Sequence, residues 1–481
     1  MSKSFYITTT LPYVNAEPHV GFAMEIIRAD VIARYKKSQG YDVFFNTGTD
    51  EHGQKLWDAA QKEGKDVQEY VDGYAERFRG LKDVLGISDD VHFIRTTDGS
   101  HITAAQEFWR RCKDNGFIYK KTYQAKYCVG CELNKTESEL DEQGGCPIHP
   151  GKPLELIDEE NYFFKFSAFQ VPLLEYYKTH PDFVVPDFRF NEIKSFIESG
   201  LEDFSISRLA SKMPWGIPVP DDNAHVMYVW FDALVNYIST LGWPTDIRTF
   251  DTYWREGTPI QYCGKDNLRQ QSAMWQAMLM SVDIPCSHCV IVNGFITGDK
   301  GIKMSKSIGN VINPYDVVAE YGTDALRYFV LRELSSFEDS PFTMERFRES
   351  YNSGLANGIG NLVSRLLNMV VSYDVPISDI VFEPLKESTL EKGYQSFQLH
   401  VVMDSIWSEI SDIDMHIQNT EPFKKIKVDP EQARADIRFA VEKLARVAVS
   451  LAPLLPNTSA KIITLLKNKQ KPEAPLFARR D

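Results

Sequence analysis

Three cysteines and one histidine stand at a spacing that suits a metal: Cys128-Val129-Gly130-Cys131 is followed by Cys146-Pro147-Ile148-His149. Two x2-spaced pairs on either side of a glycine-bearing loop match a tetrahedral Zn2+ shell. Thiolate and imidazole donors favour zinc over hard, oxygen-seeking ions. The ligand set is closed, so the expected role is structural. The competing reading, buried free cysteines, needs apolar neighbours that this segment mostly lacks. A second group, Cys286-Ser287-His288-Cys289, has no matching pair nearby and reads as the entry to a strand, while Cys112 and Cys263 are isolated and expected in cores.

Two further strings suit an anionic ligand rich in phosphate. In Pro18-His19-Val20-Gly21-Phe22, proline fits a first helical turn and His19 stands at a helix start, where free amides and the positive dipole end attract anions. Gly21 leaves room for a flat group. Taken alone, these five residues read more simply as an ordinary helix start with a solvated histidine. In Lys303-Met304-Ser305-Lys306-Ser307, the two lysines on a loop after Gly298 and Gly301 suit a clamp that neutralises charge on a departing pyrophosphate. A basic exposed loop is the plain alternative. Asp50 and His52 follow a strand, where open α/β sheets place ligand contacts, and a carboxylate there suits an ammonium group. Trp230, Ala233 and Tyr237 recur at helical spacing, a pattern of cores as well as of apolar pockets. Asn361 and Arg365 lie one helical turn apart and suit either base edges or solvent.

Alternating strands and helices must position these groups. Phe5 to Thr8 reads as a buried strand, and Val20, Ala23, Met24, Ile27 and Val31 share one helical face. Tyr41 to Asn46 is a second strand, and helical patterns continue to about Leu85. Strand, helix, strand predicts a right-handed parallel unit and a doubly wound sheet. Residues 118–213 become strand-rich and irregular, which predicts an inserted domain. The α/β pattern resumes at Val226, and after about Pro341 long amphipathic patterns predict a helical bundle.

Composition bounds the function. The 481 residues carry a formal charge of −14 and are 43% hydrophobic. Such a chain buries large cores, and its acidity argues against a general nucleic-acid coat or an anionic-membrane binder. The start lacks the pattern of a signal or import peptide, and no span of 18 apolar residues occurs. A cytoplasmic protein with no membrane attachment is expected.

Taken together, the His19 and Lys306 strings resemble the signatures of class I aminoacyl-tRNA synthetases. Leu11-Pro12-Tyr13-Val14-Asn15, Gly48-Thr49-Asp50-Glu51-His52-Gly53, Tyr228-Val229-Trp230-Phe231-Asp232-Ala233, Gly264-Lys265-Asp266-Asn267 and the stretch Tyr321 to Tyr328 are similar to the methionyl-tRNA synthetases among them. The resemblance runs to about residue 455. It implies a Rossmann-type doubly wound parallel sheet with an inserted zinc-binding domain and a C-terminal α-helical bundle. The boundaries expected are a split catalytic domain at 1–117 and 214–313, an insert at 118–213, a segment reaching towards the tRNA stem at 314–343, and an anticodon-binding bundle at 344–481.

The activity implied is ATP-dependent ligation of methionine to its tRNA through a methionyl-adenylate. By resemblance His19, Lys303 and Lys306 stabilise the phosphates. Gly21, Lys265 and Asp266 join His19 and Lys306 in holding ATP with its Mg2+, and Asp266 takes the ribose. Leu11, Tyr13, Asp50, Trp230, Ala233, Tyr237 and Gln271 make the methionine pocket, with Asp50 on the amino group. Asn361, Arg365 and Phe423 read the anticodon. Two family histidines are replaced, by Phe22 and Gln271, and a family tryptophan by Phe423. No oligonucleotide-binding-fold extension of the kind some relatives carry is read in the sequence, and a monomer is expected. The rival readings are a class I synthetase for leucine or cysteine, an adenylate-forming relative without tRNA charging, and a zinc-dependent RNA-binding module.

Overall fold

The run Phe5-Tyr6-Ile7-Thr8 has no polar alternation, and such runs belong inside parallel sheets covered on both faces. The computed structural model describes residues 3–480 apart from 132, 136–139, 142 and 299–310. Its strands are β1 (Ser4–Thr8), β2 (Asp42–Thr49), β3 (His92–Arg95), β4 (Ile118–Cys128), β5 (Leu133–Lys135), β6 (Glu155–Phe164), β7 (Val184–Val185), β8 (Phe204–Ser205), β9 (Ser207–Leu209), β10 (Pro218–Val219), β11 (Asp222–Met227), β12 (Thr258–Gly264), β13 (Cys289–Asn293), β14 (Ile296–Thr297) and β15 (Ser340–Pro341). The helices used below are α1 (Val20–Ser38), α2 (Gln54–Glu63), α3 (Val67–Val84), α4 (Gly99–Asp114), α5 (Gln170–Thr179), α6 (Asp187–Glu198), α7 (Val229–Ala233) and α8 (Asn236–Ser239).

Six strands form one parallel sheet in the order β3-β2-β1-β12-β13-β7. The chain winds outward from β1 through β2 to β3, then crosses back to β12 on the other side. This is the doubly wound arrangement expected, and its crevice opens between the carboxyl ends of β1 and β12. Leu11 to Asn15 leave β1 there, and Lys265 and Asp266 leave β12. Thr10 Oγ1 donates to the Tyr262 carbonyl (3.3 Å) and ties the two exits together.

The insert is built on a long antiparallel pair, β4 with β6, running from Ile118 opposite Phe164 to Tyr127 opposite Glu155. β5 and β8 flank it. Because β4 ends at Cys128, the first cysteine pair sits at the tip of this ribbon. The stretch 118–213 does more than form this insert: Val184–Val185 pairs in parallel with β13 and becomes an edge of the main sheet. Leu173 and Tyr177 of α5 and Ile193 and Ile197 of α6 share the core cluster of Tyr6 and Phe108.

The last third is helical, as its amphipathic pattern predicts. Leu362, Val363, Leu366 and Leu367 of the helix Asn361–Ser372 are buried in one core with Ile406, Ile410, Ile413 and Ile417 of the helix Leu399–Thr420. That core also contains Val20, Ile27 and Val31 of α1, so the bundle packs directly on the sheet domain. Among the described residues, no helix is long and apolar enough to cross a membrane.

Candidate functional site

His19 caps α1. Its backbone is extended (φ −131°, ψ 165°), and its Nδ1 accepts the Gly21 N–H at 3.0 Å. An imidazole that accepts at Nδ1 carries its proton on Nε2, so Nε2–H is a donor. Gly21 is required for this cap: a Cβ there would lie 2.8 Å from His19 Cε1. Phe22 packs edge-on against Phe78 of α3 (5.5 Å). Lys303 and Lys306 lie outside the described residues. The chain on either side of them is described. Thr297 lies in β14, which pairs with β15, and the Ile312 carbonyl accepts the Val20 N–H at 3.1 Å, next to His19. The chain at Ile312, past the second string, therefore lies against the start of α1.

On the other side of the crevice, the Lys265 ammonium is held by both Asp339 carboxylate oxygens (2.8 and 2.7 Å) and lies over the Phe295 ring (4.4 Å). Asp339 Oδ1 also accepts the Phe295 N–H (3.0 Å). This pairing holds the Asp339 carboxyl below its ordinary range. Asp266 is the next residue, and it acts electrostatically on Glu25 of α1. Glu25 is buried and accepts the Thr10 N–H at 2.7 Å.

The expected methionine-pocket residues come from the loops after β1 and β2, from α7 and α8, and from the helical segment Gln270–Met274. Tyr13 and Asp50 form a parallel bridge, with the Asp50 N–H donating to the Pro12 carbonyl (2.9 Å) and the Val14 N–H to the Asp50 carbonyl (3.2 Å). Leu11 and Asp50 are buried beside them. Trp230 and Ala233 stand on α7, and Tyr237 on α8. Gln271 is buried against Tyr237: its Nε2 donates to the Tyr237 hydroxyl, while its Oε1 accepts from Gln261 Nε2 (2.7 Å). Both ends of the Gln271 amide are thereby assigned, so its orientation is fixed. Burial pushes the Tyr237 phenol far above its ordinary range, and it stays neutral.

The four predicted metal ligands converge. Their donor atoms all lie within 4.8 Å of one another. Cys131 Sγ is 3.3 Å from His149 Nδ1 and 3.5 Å from Cys146 Sγ, and Cys128 Sγ is 3.8 Å from the same Nδ1. Zn–S and Zn–N bonds near 2.3 and 2.0 Å give tetrahedral edges of roughly 3.5–3.8 Å, so the cluster fits zinc. Burial, with Cys146 Sγ alongside, pushes the Cys131 thiol up to about 12, a cost that a dication removes by binding the thiolate. Gly130 is again a close approach, since its Cβ would meet His149 Cγ at 2.4 Å. The Gly130 carbonyl accepts from Lys55 Nζ (2.9 Å), which docks the knuckle on α2, directly after the Asp50 loop.

Comparison with known proteins decides the family. The model of class I tRNA synthetases (M) matches residues 5–153 and 142–367, and that of the anticodon binding domain of methionyl tRNA ligase matches 401–475. The chain is 41% identical to the methionine–tRNA ligase of Thermotoga maritima, over 97% of this chain and 76% of that one. It is 42% identical to that of Thermosynechococcus vestitus, over 96% and 90%. The Mycobacterium tuberculosis methionyl-tRNA synthetase solved in complex with methionyl-adenylate superposes with a TM-score of 0.90 at 34% identity, covering 99% of this chain and all of that one. The chain belongs to the methionyl-tRNA synthetases.

The anticodon candidates lie in the helical third. Asn361 is exposed and Arg365 half-buried on the same helix. The Arg365 guanidinium is paired with Asp414, which also accepts from Gln418. Asp414 and Gln418 belong to the helix that ends at Thr420, just before Pro422-Phe423, and Phe423 is 43% exposed. Two groups here escaped the sequence reading: Glu25, which accepts from Thr10, and Asp414, which pairs with Arg365; each is a carboxylate on a helix whose partner lies on another segment.

Proposed function

We propose that this methionyl-tRNA synthetase joins methionine to its tRNA in two steps in the cytoplasm. The methionine carboxylate attacks the α-phosphorus of ATP in line, the α–β bridging P–O bond breaks, and methionyl-adenylate and pyrophosphate form. The terminal ribose hydroxyl of the tRNA then attacks the activated carbonyl and releases AMP. Positioning and charge stabilisation carry such reactions, with little side-chain covalent chemistry. His19 Nε2–H and the ammonium groups of Lys303 and Lys306 take the developing phosphate charge. Gly21 lets the nucleotide lie against α1, and Lys265 and Asp266 hold it with its Mg2+ from β12. Asp50 binds the methionine ammonium. Leu11, Tyr13, Trp230, Ala233 and Tyr237 surround the thioether, a polarizable group suited to aromatic walls, and Gln271 closes the end of the pocket. Asn361 and Arg365 read the anticodon, and Phe423 stacks on a base. Cys128, Cys131, Cys146 and His149 hold one Zn2+, which shapes the tip of the insert.

The observation that carries the reading is the Val20–Ile312 hydrogen bond, which joins the start of α1 to the chain just past Lys306 at the mouth of the crevice. Amino-acid-dependent ATP–pyrophosphate exchange over a panel of amino acids, followed by charging of methionine tRNA and its anticodon variants, tests it. Exchange driven by leucine or cysteine but not methionine refutes the substrate, and exchange without charging refutes the second step.

A further inference from the structure

The Asp232 carboxylate is fully buried, and each of its oxygens is held by an imidazole from a different part of the chain. His52 Nδ1, in the loop after β2, lies 2.7 Å from Oδ2. His101 Nε2, on α4, lies 2.8 Å from Oδ1, and its Nδ1 is 2.9 Å from Ser239 Oγ on α8. Burial alone would raise the Asp232 carboxyl, but the two imidazoles outweigh it and keep it ionised. We infer that Asp232, held between His52 and His101, is a positioning residue that sets the distance between Asp50 and the Trp230–Tyr237 wall of the amino-acid pocket. This rests on the reading of Asp50 and of that wall given above.

The argument is geometric. His52 is two residues from Asp50, and Asp232 stands between Trp230 and Ala233. The Asp50 loop is already fixed from its other side. Trp215 Nε1 donates to the Glu51 carbonyl (2.6 Å), the Gly53 N–H donates to the Trp215 carbonyl (3.2 Å), and the Glu51 carboxylate takes Arg95 at 2.7 and 2.8 Å. By contrast, α7 has five residues and no side-chain cap. A helix that short does not define its own orientation. Phe231 packs it on Phe108 and Trp109 of α4, and its one buried ion ties it to the fixed loop. Buried charged hydrogen bonds are steep in distance and tolerate little drift.

The test is steady-state ATP–pyrophosphate exchange by Asp232→Asn, His101→Leu, His101→Gln and Asp50→Asn. Asp232→Asn turns one acceptor into an N–H2 that faces an imidazole N–H. It is expected to raise the methionine KM by about tenfold to hundredfold, the effect of displacing a substrate group by up to about 1 Å, with the ATP KM unmoved. His101→Leu is expected to do the same, while His101→Gln, which keeps a donor at the Nε2 position, restores a low methionine KM. A merely structural role predicts the opposite split: fewer active sites by adenylate-burst titration, with the methionine KM unchanged, and that result overturns the inference. Should Asp232→Asn fail to fold, the two His101 variants decide by the same measurement. If Asp50→Asn raises the methionine KM but Asp232→Asn and His101→Leu do not, only the positioning role fails. If Asp50→Asn leaves it unchanged, the ammonium reading fails first.

Discussion

Glu25 offers a quantitative test of how the catalytic crevice is built. It lies on α1, is removed from solvent, and accepts the Thr10 N–H. Burial pushes its carboxyl from 4.5 up to about 7, and the charge of Asp266 adds to the rise, against the Thr10 donors that pull it down. The folded chain thus binds this proton more tightly than the unfolded chain does. The stabilisation is complete below pH 4.5 and is lost as pH rises through 7. At 1.36 kcal/mol per pH unit, the gap corresponds to about 3 kcal/mol. Glu25→Gln removes the titration yet keeps an oxygen for Thr10. Its stability relative to wild type is expected to be near zero at pH 4.5–5 and to grow to about 3 kcal/mol in favour of glutamine by pH 8.5. Urea unfolding at a series of pH values, followed by tryptophan fluorescence, measures this difference. A difference that stays flat between pH 5 and 8.5 would show that Glu25 titrates as an ordinary glutamate, and the account of this corner of the crevice would be wrong.

Three further outcomes are expected. Treatment with a strong chelator should open Cys128, Cys131 and Cys146 to alkylation while fully buried Cys112 and Cys263 stay shielded, which peptide mass spectrometry of the native protein checks. Phe423→Ala should weaken tRNA binding by about 1–3 kcal/mol through the loss of one stacking platform, and Phe423→Trp should not; filter binding with methionine tRNA separates them. Arg327 is fully buried, with Nη2 on Asp30 (2.9 Å) and donors on the carbonyls of Leu85, Pro453 and Leu454. Arg327→Met should therefore cost about 3 kcal/mol or more by urea unfolding, because it strips buried Asp30 of one of its two arginines and takes the donor from three carbonyls.

The candidate ligand residues could be picked out in the sequence because they stand in short strings at strand ends and helix starts, where residue type and local spacing suggest the chemistry. The zinc ligands are the clearest instance: two local pairs needed only to be brought together. The groups that hold those residues in place were not legible. His52 and Asp232 are 180 positions apart, and Arg327 and Asp30 are 297 apart, so spacing says nothing of either pair. β7 was missed for a related reason, since two residues that complete a sheet leave no periodicity of their own. Asp414 reads as one more solvated carboxylate until the helix bearing Arg365 is laid against it.

The apolar face read on α1 shows what such a reading leaves out. Val20, Ala23, Met24, Ile27 and Val31 are buried, but so are Glu25, Arg28 and Asp30 on the remaining faces. A helix enclosed on all sides can carry charge only where each charge finds a partner, and here the partners come from different parts of the chain. Glu25 meets Thr10 in the loop after β1. Arg28 donates to Asn293 Oδ1 (2.9 Å) at the end of β13 and to the carbonyls of Ser335 (2.8 Å) and Ser336 (3.0 Å). Asp30 takes Ser88 and Arg327, and through Arg327 the turn at Pro453 and Leu454 that follows a helix of the bundle. The segment fixed by Arg28 is the one from which Asp339 holds Lys265. Both walls of the crevice, His19 on one side and Lys265 on the other, are thus referenced to a single helix, whose last buried turns also register the bundle.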